Sequence, residues 1–231
     1  MVGTIVTAGG AGVRFGGEKI FAPVLGEPLL YHTLARLSEA PEIGEITLVL
    51  PAARIDAVRD VHGEALSRFG VARYVAGGVT RQKSVANGVA TLPAEVDMIV
   101  VHDAVRPLVR PSLVSAVIRA ARANGCAIAA TPVHDTLKRA DAELFIVETV
   151  RREGIWRAET PQVVGRDLFE AALRLADAVG FVGTDEASLV EHAGREVVLV
   201  RSDATNIKVT EPEDLAVVEA LLALSREGAK R

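Results

Sequence analysis

Short runs rich in Val and Ile recur through this chain at Thr4 to Thr7, Ile46 to Leu50, Ala72 to Val75, Met98 to His102 and Ala127 to Thr131. They are too short for stable helices and read as strands buried on both faces. Between them lie stretches with apolar residues three to four apart, at Pro28 to Glu39, Asp56 to Phe69, Arg81 to Thr91 and Ser112 to Asn124. That spacing predicts helices, each with one buried stripe. Strands buried on both faces need helices above and below them, and right-handed crossovers bring such strands side by side in one sheet. The expected fold is therefore α/β, a Rossmann-like, mostly parallel sheet with helices on both faces. Ligands in such folds sit beyond the carboxyl ends of the strands.

The alternation breaks after Pro132. The segment HDTLKRADAELFIVETVRREGIW offers two strand-like pieces, Thr136 to Arg139 and Phe145 to Val150, joined by a polar turn at Ala140 to Glu143. This predicts a β-arm spanning about 136–152, whose open strand edges call for a cover that a symmetric partner subunit can supply. Helices are expected at Arg166 to Ala178, Asp185 to His192 and Glu211 to Ser225, with one more strand at Val197 to Val200. A hydrophobic share of 49% in 231 residues suits a core of ordinary size, so residues 1–231 are expected to form one domain.

A net charge of −4 lacks the basic excess of a general nucleic-acid binder, so any phosphate the chain holds must meet local cations. No stretch approaches a membrane span, and the start MVGTIVTAGG lacks the charged, apolar and cleavage regions of a secretory signal. The cytoplasm is the expected compartment. The one cysteine, Cys126, lies in an apolar run and reads as a small buried thiol rather than a nucleophile.

The first strand runs into TAGGAGVRFGGEK, where Gly9, Gly10, Gly12, Gly16 and Gly17 leave backbone N–H groups open to a ligand. Arg14 and Lys19 add cations to the same loop, suited to a triphosphate and to a pyrophosphate leaving group. The loop lacks the Gly-Lys-Ser/Thr ending of a Walker motif. It is also a poor dinucleotide fingerprint, because Phe15 stands at the last glycine position and the second strand closes at Leu50 and Pro51 without an acid. Further on, Gly77 and Gly78 follow the third strand and permit close approach of a ligand, and Ser84 brings a hydroxyl. Asp103 ends a buried strand, where a carboxylate suits Mg2+ carried by a nucleoside triphosphate. Arg106 can balance that carboxylate or contact a second substrate. His102 is expected to be structural.

In order along the chain, TAGGAGVRFGGEK, GGVTRQKSVANG, VHDAVRP, PVHDTLKRA, REGIWRAETPQ, TDEAS and NIKVTEPEDL resemble the 2-C-methyl-D-erythritol 4-phosphate cytidylyltransferases of the non-mevalonate isoprenoid pathway, nearly end to end. The resemblance implies transfer of CMP from CTP to 2-C-methyl-D-erythritol 4-phosphate with release of pyrophosphate, helped by Mg2+ held at Asp103. It implies that Arg14, Lys19 and Lys208 stabilise the reacting phosphates. Backbone at Ala8, Gly9, Gly77 and Gly78, together with Ser84, would frame cytosine, while Gly10 and Gly12 belong to the CTP loop. It implies that Thr136 and Arg152 come from the arm of a neighbouring subunit to hold the acceptor phosphate, with Arg106, Thr160 and Thr184 lining that pocket. The active site would then be shared across a homodimer. Against the family's usual pattern, Glu18 replaces a proline before Lys19, and the stretch between Arg14 and Lys19 is short. VHDAVRP also resembles the ribitol-5-phosphate cytidylyltransferases, an alternative acceptor class. A nicotinamide-dependent oxidoreductase and a nucleotide-sensing protein without turnover remain as readings of other classes.

Overall fold

The computed structural model describes residues 1–9 and 19–228. In chain order, β1 is Val2–Thr7, and a small pair of strands, β2 (Pro23–Val24) and β3 (Glu27–Pro28), leads into α1 (Leu29–Ser38). Then come β4 (Ile46–Leu50), α2 (Ile55–Arg68), β5 (Val71–Ala76), α3 (Arg81–Val89), β6 (Met98–Asp103), α4 (Pro111–Asn124) and β7 (Cys126–Pro132). A separate two-stranded sheet of β8 (Leu137–Ala140) and β9 (Ile146–Val150) precedes β10 (Trp156–Gly165), α5 (Arg166–Val179), α6 (Glu186–His192), β11 (Val198–Arg201) and α7 (Asp214–Gly228).

The main sheet has seven strands in the order β11-β7-β10-β6-β1-β4-β5. All its pairings are parallel except those of β10, which runs antiparallel to both β6 and β7. Successive side chains on a strand face opposite sides, so each strand feeds two cores. Val6, Leu48 and Val100 join one core with Leu30, Leu34 and Leu37 of α1 and Val114, Val117 and Ile118 of α4. Ile5, Val49 and Ile99 join the other with Val85 and Val89 of α3 and Phe169 and Leu173 of α5. Helices thus cover both faces, as the strand composition demanded. No helix among the described residues is long and apolar enough to cross a membrane.

Local chemistry sets the helix ends. Pro111 opens α4, where its missing N–H costs no helix bond. Asp185 caps α6 by accepting from Ser188 N–H at 2.9 Å, and the Ser188 hydroxyl answers Asp185 N–H at 3.3 Å. Gly180 ends α5 with φ +69°, a left-handed position that favours glycine.

The expected elements appear, β4 with both ends as expected and the others with ends displaced by no more than three residues. The sequence left β10 unassigned, and it is the strand that carries REGIWRAETPQ into the sheet. Proline and buried polar residues interrupt its pattern: the Thr160–Pro161 bond is cis and the pairing with β7 skips between Ala158 and Gln162. Only Val163 and Val164 give it an apolar run, too short to register as a strand. The arm is a hairpin closed by Asp141, whose carboxylate accepts from Phe145 N–H at 2.8 Å. Leu144, Phe145, Ile146 and Val147 on it are 63–84% exposed.

Candidate active site

β6 is the middle strand of the sheet with β1 beside it, and their register sets Thr7 beside Asp103. The chain leaves β1 through Ala8, whose N–H donates to Val49 O at 2.8 Å, so Ala8 and Gly9 follow the β4 edge at the carboxyl end of the sheet. Gly77 N–H donates to Leu50 O at 2.8 Å in the same way and carries β5 to the same rim. Between these turns opens a cleft of about 590 Å3. Ala8, Gly9, Lys19, Gly78, Ser84, Asp103 and Lys208 line it together with Arg81.

Gly78 has no room for a side chain: a Cβ there would stand 2.5 Å from Lys83 Cγ and 3.1 Å from the Lys83 carbonyl carbon. The Ser84 hydroxyl is occupied with this turn, accepting from Gly78 N–H at 3.0 Å and donating to Thr80 O at 2.8 Å. Thr80 caps α3 by accepting from Lys83 N–H at 3.0 Å. Ser84 thereby shapes the glycine turn that borders the cleft.

Asp103 is 6% exposed and gathers three cations. Lys208 Nζ is 2.9 Å from Oδ2, Arg106 Nε is 3.5 Å from the same oxygen, and Arg81 NH2 is 3.7 Å from Oδ1. Burial works against the charge of Asp103, but Lys208, Arg81 and Arg106 outweigh it and hold the carboxyl well below the ordinary carboxylate range. Behind it, His102 is fully buried, and burial pulls its imidazole down to about 4, so it is neutral and structural.

The other expected acceptor residues divide into two groups. Thr160 and Arg106 stand directly against Asp103: Thr160 Oγ1 accepts from Asp103 N–H at 3.1 Å, and Arg106 NH1 donates to Asn206 O at 2.7 Å. Both are buried, and Arg106 faces the carboxylate it balances. Thr136, Arg152 and Thr184 are exposed and do not line the cleft. Arg152 and Thr136 lie at the base of the arm, where the Arg152 guanidinium donates to His134 O. Thr184 precedes α6, next to Gly183, whose N–H donates to Gln82 of α3 at 2.9 Å. Gly10, Gly12 and Arg14 lie outside the described residues.

Four polar residues around Asp103 went unassigned in the sequence although each lies within a quoted motif. Arg81 sits in GGVTRQKSVANG, Glu159 in REGIWRAETPQ, Glu186 in TDEAS and Asn206 in NIKVTEPEDL. Glu159, Glu186 and Asn206 are all at least nine-tenths buried. Each motif holds other charged or amide residues as well, so nothing local to the sequence singled these four out.

Comparison with known proteins bears on the family and the fold. The family model described as 2-C-methyl-D-erythritol 4-phosphate cytidylyltransferase matches residues 2–224. The enzyme of that name from Syntrophus aciditrophicus is 41% identical over 220 residues, covering 94% of each chain. The one from Geotalea uraniireducens is 40% identical over 225 residues, covering 96% of each. Among solved structures, 4-diphosphocytidyl-2C-methyl-D-erythritol synthase from Anaerococcus prevotii superposes with a TM-score of 0.83 at 32% identity, covering 96% of this chain and 98% of that one. The Thermus thermophilus cytidylyltransferase gives 0.78 at 32% identity, covering 95% and 98%. With a match across nearly its whole length in sequence and in fold, this chain belongs to the 2-C-methyl-D-erythritol 4-phosphate cytidylyltransferase family.

Proposed function

We infer that this chain is a cytidylyltransferase that moves CMP from CTP to 2-C-methyl-D-erythritol 4-phosphate, releasing pyrophosphate and forming 4-diphosphocytidyl-2-C-methyl-D-erythritol. The observation that carries the reading is a buried carboxylate, Asp103, facing Lys208 at 2.9 Å in a cleft that Lys19 and two glycine turns also line. Family membership supplies the reaction, and the cleft has the cations the reaction needs.

A phosphate oxygen of the acceptor attacks the α-phosphorus of CTP, the new P–O bond forms as the bond to the β-phosphate breaks, and pyrophosphate leaves with the electron pair. A phosphate monoester has a second pKa of about 6, so it arrives largely ionised and needs no protein base. The work left to the chain is orientation and charge neutralisation. Arg14, Lys19 and Lys208 are assigned to the triphosphate and the departing pyrophosphate, with Gly10 and Gly12 in the same loop. Ala8, Gly9, Gly77, Gly78 and Ser84 are assigned to cytosine, whose flat ring suits a slot without side chains.

Mg2+ fits this donor set as an ion brought in by the nucleotide. It takes one or two carboxylates plus phosphate oxygens and waters rather than an all-protein cage, and no cluster of three or more metal-binding side chains occurs among the described residues. Asp103, kept ionised, would be its protein ligand, and the ion would neutralise phosphate charge. Lys208, whose ammonium lies 2.9 Å from the Asp103 carboxylate, would meet phosphate charge beside it.

The acceptor is assigned to Thr160, Thr184 and Arg106 from one chain and to Thr136 and Arg152 from the arm of a second. Apolar exposure of 63–84% along the arm tip supports a homodimer. Residues 1–231 are taken as one nucleotidyltransferase domain with the arm at about 136–152, working in the cytoplasm.

Purified protein mixed with CTP, Mg2+ and one acceptor at a time tests the assignment. Pyrophosphate should appear with 2-C-methyl-D-erythritol 4-phosphate. Faster release with ribitol 5-phosphate would move the chain to the other acceptor class, and no release with either would remove the transferase reading.

A further inference from the structure

At the corner where the pairing of β10 with β7 skips from Ala158 to Gln162 lies Glu159, a carboxylate only 6% exposed that the reaction as described does not use. Two donors converge on it. Thr131 Oγ1 donates to Oε1 at 2.8 Å, and Asn206 Nδ2 donates to Oε2 at 2.9 Å. The direction of both bonds is fixed by their surroundings. Arg157, which can only donate, approaches Thr131 Oγ1 at 3.1 and 3.3 Å, leaving the hydroxyl hydrogen for Glu159. Asn206 Nδ2 also donates to Thr160 O at 3.0 Å, so its amide faces two acceptors and must present nitrogen to both.

Asn206 belongs to the connection between β11 and α7, which has no helix or strand of its own and carries Lys208. That connection is tied at one end by Ser202 N–H to Ala130 O at 2.8 Å and at the other by Val209 N–H to Val105 O at 2.9 Å. Between these ties Asn206 is 2% exposed and is held from two directions, by Glu159 through its side chain and by Arg106 through its carbonyl. Two residues later, Lys208 stands with its side chain 46% exposed and its ammonium on Asp103. A long, half-exposed lysine is only partly fixed by its surroundings, so the placement of its charge depends also on where the backbone starts it. Glu159 also adjoins Thr160, whose hydroxyl accepts from Asp103 N–H, so one corner of β10 sets both members of the Lys208–Asp103 pair.

We propose that Glu159 is a positioning residue for CMP transfer: its carboxylate clamps Asn206 and so fixes the loop that presents Lys208 to the reacting phosphates. The inference rests on the assignment of Lys208 to those phosphates made above. Displacement of a catalytic group by about 1 Å can cost on the order of 100-fold in rate, so a clamp two residues away is well placed to matter.

The test is a double-mutant cycle between Glu159→Gln and Lys208→Ala, with pyrophosphate release at saturating substrates as the readout and thermal melting as the control. The glutamine keeps the shape of Glu159 but turns one acceptor into a donor aimed at Thr131 or at Asn206 Nδ2. Glu159→Gln alone should lower kcat by about tenfold or more while KM for CTP stays within about twofold. In the Lys208→Ala background it should change kcat by less than about twofold, because the group it positions is gone. A role in the fold alone would give equal losses in both backgrounds, and that result overturns the proposal, as does full turnover in Glu159→Gln. Full turnover in Lys208→Ala alone would instead remove Lys208 from the mechanism, a separately visible failure. If Glu159→Gln does not fold, Asn206→Ser breaks the same clamp from the other side, and the same dependence on Lys208 is required of it.

Discussion

Arg81 grips Glu186 through both ends of its guanidinium, NH1 to Oε1 at 2.5 Å and NH2 to Oε2 at 3.0 Å. Glu186 is 1% exposed at the start of α6, and Arg81 stands in the cleft with NH2 also 3.7 Å from Asp103. One guanidinium therefore joins the second half of the chain to the carboxylate at the centre of the site. Burial raises the proton affinity of Glu186, and Arg81 only partly offsets it.

Arg81→Ala is expected to destabilise the fold by about 3 kcal/mol near neutral pH, because it leaves a buried carboxylate without its cation. The sign with pH follows from the raised Glu186 value. A carboxyl that binds its proton more tightly folded than unfolded favours the fold below its unfolded pKa, and that contribution disappears as pH rises through the folded value. Without Arg81 the folded value rises further, so the loss should be larger at pH 8 than at pH 5. Urea midpoints at the two pH values check this, and an equal loss at both would mean that Glu186 does not carry the effect.

Asp103 has the opposite sign. Its carboxyl lies well below the ordinary range, so its ionised form is favoured on folding and that contribution is lost only in strong acid. Loss of activity in mild acid should therefore come from other groups. Asp103→Asn should lower turnover by at least about tenfold and raise the Mg2+ concentration needed for half-maximal rate. Unchanged Mg2+ dependence would take the metal away from Asp103.

Arg14→Ala and Lys19→Ala are each expected to reduce turnover far more than stability. A single oriented charge contact at a transition state is worth about 3 kcal/mol, or roughly 100-fold in rate. Pyrophosphate release beside a melting curve separates the two effects. Near-normal turnover in either variant removes that residue from the mechanism.

Cys126 should resist thiol reagents in the folded protein. It is fully buried on β7, and burial pushes its thiol up to about 12, leaving little thiolate at neutral pH. Reaction with an aromatic disulfide reagent should begin only with unfolding in urea, and labelling without denaturant would contradict the buried position.

The sheet and its helices were legible because each strand is a local apolar run and each helix a local period. β10 was not, since its polar residues are satisfied by partners distant in sequence: Glu159 meets Thr131 and Asn206, and Gln162 meets Asp185 at 2.9 Å. The same distinction holds in the site. The glycine turns and Asp103 announce themselves by composition and by position at strand ends. Arg81 and Glu186 are 105 residues apart, and each alone looks like an ordinary surface charge until the fold buries the acid against the base. Buried polar pairs of this kind are set by topology, which local pattern does not encode.

The arm makes the strongest demand on assembly. Its tip exposes Leu144, Phe145, Ile146 and Val147, while Thr136 and Arg152 at its base lie outside their own chain's cleft. If two chains exchange arms, Arg14 of one and Arg152 of the other serve the same site. An inactive Arg14→Ala protein mixed with an inactive Arg152→Ala protein would then form heterodimers in which one site carries both defects and the other carries neither. The intact site should turn over, so activity should return to about a quarter of wild type at equal mixing: half of the dimers are mixed and each has one of two sites. Exchange must be verified by tagging one variant and pulling down the other. Proven heterodimers without recovered activity would place Arg152 in the same site as Arg14 of its own chain, and the shared site would have to be abandoned. Recovery would also require the wild-type spacing of the arm, so shortening the hairpin between Ala140 and Ile146 in either variant should abolish it if the tip contacts hold the dimer.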